Sequence, residues 1–98
     1  MNRVVAVCAA QAEDLYGSIA AGRALADRER APLVLLLTQN PRQARAESLE
    51  EAMELARRYD AELHVHFTEH AEETVRNLVR DWQPLSVLRP MRQCPATV

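Results

Sequence analysis

Lysine is absent from this chain, and all twelve of its basic residues are arginine. That excludes Schiff-base chemistry and the phosphate-gripping lysine of a P-loop. Glycine is nearly absent too, with Gly17 and Gly22 alone among 98 residues. Cysteine occurs twice, as Cys8 and Cys94 near opposite ends. Two thiols so far apart make neither a disulfide framework nor a zinc motif. Cys8 reads as a small buried apolar residue and Cys94 as an incidental tail thiol. No apolar run approaches the roughly 20 residues of a membrane span. A net charge of −2 argues against a nucleic-acid or anionic-membrane surface. The opening "MNRVVAV" enters a strand pattern directly, without the plan of a signal peptide, so a cytoplasmic location is expected.

What remains is ordinary for a globular domain: 48% hydrophobic and 27% charged residues. The length predicts a single domain over 1–98, with about 90–98 as a C-terminal tail. A chain of this size buries roughly 65% of its unfolded surface.

Four short apolar runs alternate with three longer amphipathic segments. The runs are "RVVAVC" from Arg3, "LVLLLT" from Leu33, "ELHVHF" from Glu62 and Leu85–Leu88. Continuous Val and Leu predict strands buried on both faces of a parallel sheet. In the third run, Leu63, Val65 and Phe67 alternate with His64 and His66, which fits an edge strand with one wetter face.

The first helix is predicted over Ala12–Glu29, with Leu15, Ile19, Gly22 and Ala26 on one face. Gly22 is expected where this helix approaches the sheet. "NPRQ" predicts the start of the second helix, with Asn40 as cap, Pro41 in the first position and Gln43 at capping-box spacing. Its inner face is expected to hold Leu49, Ala52, Met53, Ala56 and Tyr59, with Glu54 and Arg58 paired outside. Ala71, Val75, Leu78, Val79 and Trp82 predict the stripe of a third helix, stopped by Pro84. Glu72, Arg76 and Arg80 fall on its solvent side. Trp82 reads as packing. The order β-α-β-α-β-α-β implies right-handed crossovers.

In open α/β sheets, ligands bind beyond the carboxyl ends of the strands, where strand order reverses. That selects Cys8, Ala9, Ala10 and Gln11 after the first strand, Thr38 and Gln39 after the second, and Arg89 to Arg92 after the fourth. "GSIAAGRA" (Gly17–Ala24) has P-loop glycine spacing, but Arg23 replaces the lysine and the segment continues a helix. His64, His66 and His70 lie close together but read as a polar edge face, so no metal site is assigned. Cys8 precedes a helix, which can activate a thiol, yet no basic partner lies near it in sequence. No Ser-His-Asp pattern or paired carboxylates stand out, so no catalytic residue is assigned.

"VVAVC", "GRALADRERAPLVLLLT" and "ARRYDAELHVHFTEHAEETVRNLVRDWQPLSVL" together resemble the universal stress protein (UspA-like) family across residues 3–89. The stress-protein-like segment in the sensor kinase of the bacterial potassium-transport system is at least as similar. The resemblance implies a Rossmann-like three-layer α/β sandwich. Its four-stranded parallel sheet would have the order 3-2-1-4, with helices on both faces. ATP-binding members use an aspartate ending the first strand and a Gly-x2-Gly-x9-Gly-(Ser/Thr) loop after the fourth. Here Cys8 takes the aspartate position, Arg89 that of the glycine directly after the fourth strand, and Arg92 and Pro95 those of the next two loop glycines, and the Gly-(Ser/Thr) step would lie beyond Val98. Glycines let a backbone approach phosphates, and proline removes an N–H donor.

The expectation is a non-enzymatic domain that does not bind ATP and needs no cofactor. It would act through a homodimer or a protein partner in a stress or signalling context. The family's fifth strand would lie beyond Val98, so the fourth strand is expected at an exposed edge, with Leu85–Val98 in the dimer interface. The alternative is a nucleotide or anion site for ATP or AMP. It would be built from Cys8, Ala9, Ala10, Gln11 and Thr38 with the guanidinium groups of Arg89 and Arg92.

Overall fold

A computed structural model describes residues 3–90. Four strands form one all-parallel sheet: β1 (Val5–Ala9), β2 (Leu33–Gln39), β3 (Glu62–Phe67) and β4 (Ser86–Leu88). The helices between them are α1 (Tyr16–Glu29), α2 (Ala46–Arg58) and α3 (Ala71–Trp82). The order across the sheet is β3-β2-β1-β4, the predicted Rossmann-like arrangement. Among the described residues no helix is long and apolar enough to cross a membrane.

Side chains alternate between the faces of a strand, and the two faces have different cover. Val5, Val7 and Ala9 of β1 and Leu33, Leu35 and Leu37 of β2 join Ile19 and Ala26 of α1 and Ala52 and Leu55 of α2 in the larger core. Ala6, Cys8 and Leu36 face the other way, against Val75, Leu78 and Val79 of α3 and Val87 of β4. A right-handed crossover explains this division. The steps β1 to β2 and β2 to β3 run in one direction and put α1 and α2 on one face. The step from β3 back past β1 to β4 runs the other way and puts α3 on the opposite face.

The structure corrects several local expectations. The first helix is preceded by a short 3-10 segment, Ala12–Leu15. Ala12 N–H there donates to the buried Ser48 hydroxyl at 3.1 Å. "NPRQ" is a turn, not a helix start. Asn40 Oδ1 accepts from Arg42 N–H at 2.9 Å and Asn40 carbonyl from Gln43 N–H at 2.9 Å, so the capping signal closes on itself. The helix begins at Ala46, and its buried face is Ser48, Ala52, Leu55 and Ala56. Met53 is exposed, because the stripe that meets the sheet runs through Ser48, Ala52 and Leu55, and Met53 lies about 100° round the helix from Ala52. Glu54 pairs with Arg57 at 2.6 Å, not with Arg58. β4 is only half-buried along its three residues, because it is a sheet edge among the described residues. Arg92, Cys94, Pro95 and the rest of the expected tail lie outside the described residues.

Gly22 meets the sheet as expected. A Cβ there would lie 2.6 Å from Val7 Cγ2, 3.2 Å from Leu33 Cδ1 and 3.3 Å from Leu88 Cδ1, whereas one at Gly17 would meet nothing within 4 Å. Val7 is fully buried and β-branched, so it has little freedom to yield. Gly22→Ala should therefore destabilise the fold by about 1–2 kcal/mol, overpacking outweighing the gain in helix propensity. Gly17→Ala should stabilise it by up to ~1 kcal/mol. Urea denaturation of the two variants checks the opposite signs.

Candidate functional site

The strand order reverses between β1 and β4, and a cavity of about 400 Å3 opens there at the carboxyl ends of the strands. Cys8, Ala9 and Ala10 line it from the end of β1, Thr38 from β2, and Arg89 and Pro90 from beyond β4. The remaining wall is Asp14 together with Ala71, Glu72 and Val75 at the start of α3. Five expected residues, Cys8, Ala9, Ala10, Thr38 and Arg89, thus share one cavity. Gln11 does not join them: its side chain accepts from Arg45 Nη2 at 3.3 Å, and it lines a neighbouring cavity of about 160 Å3 with Gln39 and Asn40. Arg92 lies outside the described residues.

Arg89 is held in place. Its Nη2 donates to Glu72 Oε2 at 2.6 Å, and its carbonyl accepts from Ser18 Oγ at 3.4 Å. The pair holds the Glu72 carboxyl below the usual carboxylate range, chiefly through this hydrogen bond. It raises the Arg89 guanidinium in turn, although partial burial works against that. Burial pushes the Cys8 thiol up; nearby Arg89 lowers it less than burial raises it. The cationic partner that the local sequence did not reveal is therefore present, but its pull is smaller than the effect of burial. Thr38 Oγ1 lies 3.5 Å from the Ala9 carbonyl oxygen, at the limit of a hydrogen bond.

Sequence reasoning missed Asp14 and Glu72, the two carboxylates of the wall. The available signal for Glu72 was topological. A right-handed return from β3 to β4 must start α3 near the ends of the central strands, so its first turn faces the switch point. The structure also places the histidines. His64 Nε2 lies 2.6 Å from Glu62 Oε2, and its ring meets the Trp82 ring at 5.1 Å in a T-shaped contact. Among the described residues no three His, Cys, Asp or Glu side chains converge as a metal site would require. The P-loop-like glycines lie in α1.

A scan of protein-family models finds none that matches this chain, and a search of curated proteins finds no match.

Two measurements check the electrostatics. A raised thiol value leaves little thiolate at neutral pH, so in a Cys94→Ser protein native Cys8 should react with a thiol reagent at least about tenfold more slowly than after denaturation. Glu72 has a depressed folded value, so its contribution to stability is present above about pH 5 and lost as the pH falls through that value. The pair is largely exposed and screened, so Glu72→Gln should cost no more than about 1 kcal/mol at pH 7. Urea midpoints of the two proteins should converge in acid.

Proposed function

We propose that this chain is a non-enzymatic, Rossmann-like domain of universal stress protein type that does not bind ATP and acts through self-association or a protein partner. The observation that carries the reading is the Arg89–Glu72 ion pair at the switch point. The charge that would attract a phosphate into the cavity is already balanced by a carboxylate of the same wall. The first turn of α3, where a helix favours an anion, carries Glu72 and Glu73 itself. With Asp14, the lining includes two carboxylates and one arginine. No glycine lies there to let backbone approach a phosphate.

Cys8 supports the non-enzymatic part, because burial holds back its nucleophilic form. The β4 edge supports association: Leu85, beside it, is 43% exposed. A homodimer through this edge and a cytoplasmic location belong to the same reading.

The alternative, a variant nucleotide or anion site for ATP or AMP, draws on one observation. The cavity falls in the size range of small-ligand pockets and gathers five of the expected residues. Calorimetric titration of the purified chain with ATP and AMP decides between them. Silence from a folded sample is expected. Micromolar binding that Arg89→Ala abolishes would overturn the first reading and install the second. Light scattering then tests the edge, where Leu85→Glu should dissociate a dimer.

A further inference from the structure

At the opposite end of the sheet, beneath the last turn of α3, lies a second cleft of about 280 Å3. Its floor is Val4, Pro32 and Val34, and its walls are Glu62, His64, Asp81 and Trp82. We infer that this cleft receives an arginine side chain presented by a partner protein.

Glu62 and Asp81 are both carboxylates, and the lining carries no arginine to neutralise them. Asp81 is 3.7 Å from Arg80 Nε on the exposed helix surface, a loose pair. Glu62 is engaged by His64, which is charged only when protonated. The C-terminal end of α3 adds negative potential at the same place, since Trp82 is its last residue. The cleft is therefore complementary to a cation, whereas the switch-point cavity carries its own.

The remaining walls specify which cation. An indole ring attracts a cation over its face. The apolar floor suits the methylene stem of a long basic side chain, which buries its stem and keeps its head among polar groups. A planar guanidinium both stacks on a ring and forks onto carboxylates, which an ammonium does not. The volume lies just under the range of pockets for whole small ligands, and so fits one side chain rather than a free metabolite. The inference gives a chemistry to the partner-binding reading and rests on it only for the occupant being part of a protein. Nucleotide titration reports on the other end of the sheet, so the two can fail separately.

Trp82 is the sole tryptophan of the chain, so its emission and its indole N–H NMR signal report on this cleft. The full chain is titrated with an acetylated, amidated Gly-Ala-Arg-Ala-Gly peptide and with the same peptide carrying uncharged citrulline. The arginine peptide should give a saturable, millimolar response, and the citrulline peptide should bind about tenfold more weakly or not at all. The double variant Glu62→Gln, Asp81→Asn should lose about fivefold to tenfold in affinity for the arginine peptide with an unchanged circular dichroism spectrum. Both replaced residues are exposed, so folding is not at stake. No saturable response to arginine, an equal response to citrulline, or unchanged affinity in the double variant would each overturn the inference.

Discussion

The right-handedness of β-α-β crossovers sets where every other feature of this molecule sits. Two steps in one direction lay down β1, β2 and β3 and bury one face under α1 and α2. The return to β4 must then carry α3 over the other face. One consequence is a thick core on the first face and a thin one on the second, where Ala6, Cys8 and Leu36 meet a single helix. Another is the reversal between β1 and β4, which opens the larger cavity.

Helix α3 links the two ends of the sheet. Its first turn brings Glu72 to the switch point, where it holds Arg89. Its last residue, Trp82, stands over the second cleft with His64 and Glu62. The two sites differ in electrostatic character for that reason. At the first, an acid of the helix supplies the counter-charge to the only lining arginine. At the second, the lining holds two acids and no arginine, with only His64 on Glu62, at the helix end where negative charge already accumulates.

Scarcity of glycine leaves its mark on the backbone. Arg30, Asp60 and Gln83 take left-handed conformations where the three helices end, a position that glycine usually fills. At α1 the left-handed turn lets Ala31 N–H reach the Ala26 carbonyl at 2.8 Å. Gly22 instead stands where a helix touches three side chains of the sheet, a contact no other residue could make without displacing Val7.

Strand positions, the alternation of elements and the inner faces of α1 and α3 were legible in the sequence, because burial repeats with the period of the local structure. Leu33–Leu37 is buried at every position, as its unbroken apolar run predicts. The strand ends of the candidate site were legible too, because an α/β sheet puts its ligands at carboxyl termini. "NPRQ" was not, since a turn and a helix cap use the same residues and hydrogen bonds. The partners Glu72 and Trp82 were not either. Glu72 stands 17 residues from Arg89 and Trp82 stands 18 from His64, and only the long return of α3 brings each pair together. The order of strands and helices, and the inward faces of the strands, α1 and α3, could be read from the chain alone, because burial there follows the local period. Tertiary structure alone decided which charges meet, because an ion pair depends on distance in space and leaves no periodic trace along the chain.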